Sequence, residues 1–315
     1  MLNCGFLLNV RKPIVIIEYI ELGESYNVCV GVLWPQGTHH ERVHILVTDG
    51  AAYMGKAAKA LRVFYPNMIH IRCVAHSLHN VSEVICPRAS LANALVVAVK
   101  KVFRKSPIRI AEYNEVCPDL PLPPKPVSTR WGTWIKSVCF IARNFERIKQ
   151  VVDRLDPQEA LAIKDAQELF SNPAARTQVA YVTANFANIP TIITALEERG
   201  LSLSDALRLF DQASDVIEAA EGEIAVAAKD KLRAVTEKNV ALPVLRAIRA
   251  VATGEATHCP IEPGMVAGFR YAPLVSVEVE RSFSVYKSVL AENRQSLTPA
   301  NIQAILVTRC NMAKE

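Results

Sequence analysis

The chain opens with three runs of β-branched and other apolar residues that predict strands, at Ile14–Ile20, Tyr26–Trp34 and Arg42–Thr48. After Asp49 the apolar positions recur at helical spacing to about Phe64. A short strand is then predicted within Met68–Cys73, followed by an amphipathic helix that ends before Pro87. This order of strand, helix, strand and helix predicts an α/β layer.

The rest of the chain has a different pattern. Cys117–Pro126 contains five prolines in ten residues and predicts an ordered loop or a linker. From Trp131 to about Val251, periodic stretches rich in Ala, Leu, Glu and Lys predict helices almost throughout. The last unit, Tyr271–Glu315, predicts two helices divided by a turn, with Thr298 as a helix cap. The pattern therefore predicts an α/β part joined to an all-α part.

Composition narrows the class of protein but leaves its function open. Half of the residues are hydrophobic, and the net charge of +5 is compatible with a nucleic-acid surface without requiring one. The eight cysteines are scattered with no CxxC pair, which favours thiols in a reducing compartment. No run approaches the roughly 20 apolar residues that cross a bilayer. We therefore expect a soluble, intracellular protein with no membrane partner.

Asp49 stands where the third predicted strand stops and a helix starts, and this position has two interpretations. Ligands of α/β sheets bind at the carboxyl ends of the strands, so the carboxylate is a candidate site residue. Asp is also a favoured helix N-cap, and the residues that follow it begin a helix well. The pattern alone leaves both interpretations open.

Four side chains with nitrogen or sulfur atoms follow at intervals of three residues: His70, Cys73, His76 and His79. Each could bind zinc. On a helix, however, each step of three turns the side chain by about 300°, so that only adjacent pairs share a direction. No second ligand pair stands at finger-like spacing. The spacing disfavours a zinc site, and the alternative for Cys73 is a small buried residue.

Two further stretches carry cations. Arg130 precedes Trp131 and Trp134, and an arginine beside an exposed aromatic ring can bind phosphate and stack on a base. The alternative is that both tryptophans face a helical core. The basic run Lys100–Lys105 is either a nucleic-acid patch or a solvated helix end.

Apolar stripes mark the last unit. In its two predicted helices, apolar residues recur at three- and four-residue spacing: Val279, Phe283, Tyr286 and Leu290, then Ile302, Ile305 and Leu306. Two such helices cannot bury these stripes by themselves, so they must dock on the domain or on a second chain. Glu280 is flanked by Arg281, and its ordinary interpretation is a surface ion pair.

The stretches "VTDGAAYM", "CVAHSLH", "STRWGTW" and "VEVERSFSVYKSVLAENRQSLTPANIQAIL" occur in this order. Together they resemble transposases of the hAT superfamily and the genes derived from them, over about residues 43–311. The resemblance implies a ribonuclease H-like core interrupted by a large helical insertion and completed by C-terminal helices that dimerise. The implied domains are 1–130, 131–260 and 261–315, and the implied location is the nucleus.

The resemblance also implies a site for metal ions. The family's active site is an Asp, Asp, Glu triad that holds two Mg²⁺ ions for DNA strand cleavage and transfer. Carboxylates suit these ions because hard cations take oxygen ligands, and two metals stabilise the attacking and leaving oxygens of a phosphate. Asp49 matches the second acidic position and Glu280 the third.

Other family residues match as well. Cys73 and His76 match a CxxH pair that lies beside the DNA, without being zinc ligands. Arg130 and Trp131 match an RW motif, in which the indole can stack on a displaced base. The C-terminal block is similar to the family's dimerisation region, and the expected dimer contacts are Phe283, Tyr286, Leu290, Ile302, Ile305 and Leu306.

The first 42 residues depart from the family pattern. Ile16 stands where the first Asp is expected, and Glu18 is only a weak substitute. The segment before the strand that leads to Asp49 is too short for the family's helical crossover. The N-terminal zinc-finger domain common in such transposases is not recognised in this sequence. We therefore expect an incomplete core at residues 1–42 and too few carboxylates for two metal ions.

Three hypotheses follow. The first is a transposon-derived protein that is catalytically defective, forms a homodimer or higher oligomer, and contacts DNA. The second is an active Mg²⁺-dependent DNA transposase that uses Asp49 and Glu280, with Glu18 in place of the missing Asp. The third is that the true N-terminus supplies the missing strand, helix and finger, which sequencing of the 5′ end of the transcript would test.

Overall fold

The computed structural model describes residues 43–104, 106–127 and 132–277, the backbone of residues 5–8 and 15–19, and the single residues 298, 301 and 305. Most of this part of the chain is helical, and it also contains a parallel pair of strands. The chain thus combines a small α/β element with a large helical part, as the sequence predicts.

The described residues form two compact units. Unit 1 comprises those within Met1–His76, Glu197–Leu207 and Asn239–Glu315, and unit 2 those within Ser77–Leu196 and Arg208–Lys238. The helices α2 (Val74–Arg88) and α10 (Leu203–Ala219) contribute residues to both units. The predicted domain boundaries at residues 130 and 260 stay predictions.

A strand–helix–strand element forms the centre of unit 1. β3 (Ile45–Thr48) and β4 (Ile69–Arg72) pair in parallel, and α1 (Ala52–Leu61) connects them. Parallel neighbours require such a crossover, because a tight turn can join only antiparallel strands. β3 is buried at every position, which agrees with the three successive apolar residues Ile45, Leu46 and Val47 at its start. On its inner face α1 packs small and apolar side chains into a cluster formed by Val43, Leu46, Ala58, Leu61, Tyr65 and Met68.

A hairpin precedes this element. β1 (Gly5–Leu8) and β2 (Val15–Tyr19) pair in the antiparallel direction, and β2 lies beside β3. β2 falls inside the predicted strand Ile14–Ile20, whereas the sequence did not predict β1. The predicted strand Tyr26–Trp34 lies outside the described residues.

The rest of unit 1 is formed from the later part of the chain. Helix α12 (Leu242–Ala252) contacts a 3-10 helix, Pro263–Tyr271. Within that 3-10 helix, Phe269 is buried and its ring lies 5.6 Å from the ring of His44, centroid to centroid. His44 immediately precedes β3, so the 3-10 helix lies against the start of the α/β element.

Unit 2 is helical in all its described elements. Helices α3 and α5 each contact several neighbours and form its centre. The remaining helices surround or extend them; the bounds are α3 Ser90–Phe103, α4 Pro107–Val116, α5 Gly132–Arg143, α6 Phe145–Asp153, α7 Leu161–Ser171, α8 Pro173–Phe186, α9 Ile189–Leu196 and α11 Glu223–Glu237. The helices predicted from Trp131 to Val251 are confirmed, and the loop predicted at Cys117–Pro126 contains no helix or strand.

Helix α2 corrects one predicted boundary, since it contains Pro87 and runs on to Arg88. A proline lacks the N–H that bonds to the carbonyl four residues earlier, and it breaks a helix when it lies in the interior. Pro87 removes one helical hydrogen bond, the one its N–H would donate to the carbonyl of Glu83, and the helix ends one residue later. The side chain of Arg88 donates to the carbonyl oxygen of Val84 at 3.0 Å, which supplies a partner for one of the last carbonyls.

The segment Pro173–Leu196 is long and apolar enough to cross a membrane, with a mean hydropathy of 1.3 over its most apolar window. Length and composition alone are weak evidence, because the core helix of a soluble protein passes the same test. Within unit 2 this segment forms α8 and α9, and both pack against α5. The expected absence of a membrane partner stays a prediction.

Candidate functional site at the strand ends

Asp49 follows the last residue of β3 and is half-buried. Its Oδ1 atom accepts a hydrogen bond from the backbone N–H of Ala51 at 2.8 Å. Ala51, not Asp49, is the N-cap of α1, and no side chain caps that helix. Asp49 thus closes a turn two residues long, a local role that Asp often has. Its second oxygen, Oδ2, accepts no hydrogen bond from the described residues.

Gly50 allows the chain to turn between the strand and the helix. Its φ of +89° lies in the left-handed region, where a side chain would be strained. A Cβ atom placed on Gly50 would lie 3.4 Å from Cδ of Arg72. The side chain of Arg72 therefore passes over Gly50 at the end of β4, beside the residue that carries the candidate carboxylate.

His70 lies on β4, and its Nε2 atom is 3.0 Å from the buried Oγ1 of Thr48, a hydrogen-bonding distance. Burial, with smaller contributions from the positive charges of Arg72 and Arg62, lowers the pKa of His70 to about 4. The imidazole is therefore neutral at neutral pH. The same interactions place the positive charges of Arg72 and Arg62 within range of His70, so the local field around this side chain favours anions.

Cys73 joins β4 to α2 and is buried. Its backbone N–H donates to the carbonyl oxygen of Thr48 at 2.7 Å, and its Sγ atom accepts a hydrogen bond from the N–H of Ser276 at 3.3 Å. Next to it, the N–H of Val74 donates to the carbonyl oxygen of Leu274 at 2.9 Å. The segment 274–276 is thereby docked beside the carboxyl ends of both strands. In the sequence, Glu280 follows four residues after Ser276.

The histidines at intervals of three have separate surroundings. His76 lies half-buried in the first turn of α2. In unit 2, Nδ1 of His79 accepts a hydrogen bond from the N–H of Gly132 at 3.3 Å. Trp134 is buried and its Nε1–H donates to Oδ1 of Asn93 at 3.1 Å, which agrees with the core interpretation of this residue.

Several predicted site residues lie outside the described residues or lack a described side chain. Glu18 belongs to β2, for which only the backbone is described, and Ile305 is half-buried in a helical conformation. The others lie outside the described residues: Arg130, Trp131, Glu280, Phe283, Tyr286, Leu290, Ile302 and Leu306. Their proposed roles stay predictions.

Asn239 is a residue at this site that sequence reasoning missed. It is 2% exposed, and both polar atoms of its side-chain amide pair with the backbone of Arg72. Oδ1 accepts from the N–H of Arg72 at 3.0 Å, and Nδ2 donates to the carbonyl oxygen of Arg72 at 2.8 Å. The side chain thus reproduces one step of a strand ladder on β4. A lone asparagine, 167 residues away in sequence, gives no signal of this contact.

The described residues do not form a cradle suited to two Mg²⁺ ions. Within the described ranges there is no group of three or more His, Cys, Asp or Glu side chains that could hold a metal ion. Asp49 uses one carboxylate oxygen for the turn, and Arg72, whose side chain passes over Gly50, adds positive charge beside it. Hard cations need several oxygen donors, so this donor set does not fit them.

Comparisons with known proteins identified no relative of this chain. No protein-family model matches the chain, and no curated protein matches it either.

Proposed function

We propose that this chain is a transposon-derived protein of the hAT type that self-associates through its C-terminal region, contacts DNA and no longer cleaves it. In this proposal the α/β part of unit 1 is a ribonuclease H-like core, and the protein acts in the nucleus. The observation that carries the proposal is the position of Asp49 at the carboxyl end of β3, where the segment 274–276 that precedes Glu280 also docks.

The order of chain segments supports this proposal. Unit 2 is formed by two stretches of sequence that lie between stretches of unit 1. A core interrupted by a helical insertion requires such an order, because the chain must leave the core and later return to complete it. The chain returns to unit 1 first at Glu197 and again at Asn239, whose side chain pairs with β4.

The loss of cleavage is proposed from the number and charge of the ligands. Two-metal catalysis of phosphate displacement needs carboxylates that neutralise and clamp both ions. Ile16 stands where the resemblance requires the first of them, and the positive charge of Arg72, whose side chain passes over Gly50, opposes a bound cation beside Asp49. The residues that remain can position a backbone phosphate, but they form too small a set of oxygen donors for the reaction.

We expect the full chain to behave as a dimer whose mass is twice the chain mass of 34.7 kDa. Changing both Phe283 and Leu290 to aspartate should convert it to a monomer, because two charges on an apolar stripe cannot be buried in an interface. Light scattering coupled to size-exclusion chromatography measures the mass. The matched control is Ile108→Asp at a position that is 83% exposed, which should leave the dimer intact. A monomer at every concentration of the unaltered protein would contradict self-association.

A basic face on α1 is the surface that best fits contact with DNA. We define the α1 basic face as the exposed residues Tyr53, Lys56 and Lys59 of α1 together with Arg62, Val63 and Phe64, which directly follow the helix. Tyr53, Phe64 and Val63 are 55%, 53% and 81% exposed. No Asp or Glu occurs between Asp49 and Glu83, and the three cations form no ion pair with the described residues. Exposed rings on either side of a row of cations suit a phosphate backbone and its bases.

The ordinary explanation for these cations is the helix dipole, which favours positive charge in the last turn. It accounts for Lys59 and Arg62 but not for Lys56, which lies in the middle of α1. Cations three residues apart also repel one another. Lys56, Lys59 and Arg62 have this spacing, so a bound polyanion would relieve a repulsion that the free helix carries.

Neutralising the α1 basic face should weaken DNA binding and its dependence on salt. With Lys56, Lys59 and Arg62 all changed to glutamine, we expect the slope of log K against log [salt] to become shallower by about 2–3, because each phosphate contact contributes about 0.9. Fluorescence anisotropy on labelled duplex and single-stranded DNA measures the slope. The control changes Lys100, Lys101 and Arg104, in the last turn of α3 or just after it, to glutamine. Equal slopes for both triple variants would contradict the assignment to α1.

A further inference from the structure

The proline-rich segment between α4 and α5 is not explained by the proposed function. Residues 121–126 have no helix or strand, and Pro121, Pro123, Pro124 and Pro126 lie within them. Because each proline fixes φ near −65° and lacks an N–H, the segment favours the extended polyproline II helix, which needs no internal hydrogen bonds. Its sequence thus favours one conformation before anything binds.

Exposure along the segment repeats every three residues. Leu120, Pro123 and Pro126 are half-buried, whereas the residues between them and Val127 are exposed. A polyproline II helix has three residues per turn, so one row faces the protein and two rows face solvent. The first exposed row contains Pro121, Pro124 and Val127, and the second contains Leu122 and Lys125; we call these the two outer rows.

Hydrogen bonds hold the segment at the same interval. The hydroxyl of Tyr113 donates to the carbonyl oxygen of Pro121 at 2.9 Å, and the hydroxyl of Ser137 donates to that of Pro124 at 2.8 Å. Burial, followed by the nearby Cys117, raises the pKa of Tyr113 to about 12, so its hydroxyl remains a donor across the physiological range. The backbone N–H of Val127 donates to Oγ1 of Thr133 at 2.7 Å. Carbonyls three residues apart point the same way in this helix, which agrees with its period.

A rigid connection between two helices is the simplest role for such a segment, but it does not explain the outer rows. A spacer needs prolines and has no use for large apolar side chains in solvent. Leu122 and Val127 are both large, apolar and exposed. They lie next to prolines and to an exposed lysine, Lys125. Apolar rows beside a cation match what aromatic-lined grooves bind, because the rings pack on prolines and attract positive charge.

We propose that residues 121–127 are a preformed polyproline II ligand for a small protein domain with an aromatic-lined groove, of the SH3 or WW kind. The two outer rows enter the groove, while the half-buried row and the carbonyls of Pro121 and Pro124 stay fixed to the chain. Because Tyr113 and Ser137 already order the segment, binding costs less conformational entropy than binding of a free peptide. This interaction is independent of DNA contact and of the C-terminal region.

The test titrates the full chain into a fluorescently labelled, purified SH3 domain and, separately, into a purified WW domain. We expect saturable binding to at least one of them, measured by anisotropy. Changing both Pro121 and Pro124 to alanine should weaken it at least tenfold, about 1.4 kcal/mol. The matched control is Pro118→Ala. This proline is exposed and precedes the segment with the three-residue repeat of exposure, so its replacement should leave the affinity unchanged.

A second variant tests the preformed conformation. Ser137→Ala removes the donor to the carbonyl of Pro124 without touching the outer rows, and it should weaken binding severalfold while circular dichroism remains unchanged. Failure of both domains to bind the unaltered chain overturns the proposal. Equal affinity for the unaltered chain and for the variant changed at both Pro121 and Pro124 overturns it as well.

Discussion

Replacing Asn239 with alanine is expected to lower the free energy of unfolding by about 2–3 kcal/mol, because it leaves two part-buried backbone groups without their partner. Both groups belong to Arg72, whose N–H and carbonyl bond to the Asn239 amide at 3.0 and 2.8 Å. Chemical denaturation measures the loss. Hydrogen exchange at the Arg72 amide should also become faster, since the edge of β4 would open to water.

The control for this prediction is a second asparagine that pairs with only one backbone group. Oδ1 of Asn172 accepts the N–H of Ala174 at 2.9 Å at the start of α8. Asn172→Ala should cost about 1 kcal/mol, the usual value for a lost helix cap. If Asn239→Ala costs no more than Asn172→Ala, the side chain of Asn239 does not hold the edge of β4.

Replacing His70 with glutamine is expected to make the fold much less sensitive to acid. The pKa of His70 is about 4 in the folded chain against an ordinary value of 6.5. Between these two pKa values the unfolded chain binds a proton that the folded chain does not bind. The free energy of unfolding therefore falls as the pH drops from 6.5 to 4. The shift corresponds to a loss of at most roughly 3 kcal/mol, which solvent screening reduces because His70 is only half-buried, and His70→Gln should remove it.

Denaturation midpoints of the two proteins from pH 7 to pH 4 measure this effect. His44 contributes a smaller loss of the same sign, because burial lowers its pKa too, and that part should remain in the variant. His258→Gln, at an exposed position, is the control and should follow the unaltered chain. Parallel curves for His70→Gln and the unaltered chain would mean that His70 is not buried as described.

The α/β element could be predicted because its signals are local. The run before Asp49 is apolar at successive positions, and the spacing of Met54, Ala58 and Leu61 gives α1 one buried face. The parallel pairing of β3 with β4 follows from the crossover, and the sequence order indicated it. Pro87 misled the prediction of a helix end, because the helix continues for one residue beyond it even though the proline lacks the N–H that would bond to the carbonyl of Glu83.

The surroundings of Asp49 could not be predicted because they depend on distant residues. The docking of residues 274–276 on Cys73 and Val74 joins segments about 200 residues apart, and Asn239 reaches Arg72 across 167. None of these residues belongs to a periodic pattern. The cap interpretation of Asp49 was wrong, because its carboxylate closes a turn before the N-cap Ala51, and its role as a ligand stays a prediction. Such geometry depends on a positive φ at Gly50, which sequence indicates only weakly.

We propose that the chain keeps the scaffold of a DNA-cleaving core without the ligands for its metal ions. This proposal is tested by nicking of supercoiled DNA with and without Mg²⁺, with the full chain compared with Asp49→Asn and Glu280→Gln. We expect no nicking above background in any of the three proteins at any Mg²⁺ concentration. Nicking that requires Mg²⁺ and disappears in both variants would contradict it and would establish an active enzyme.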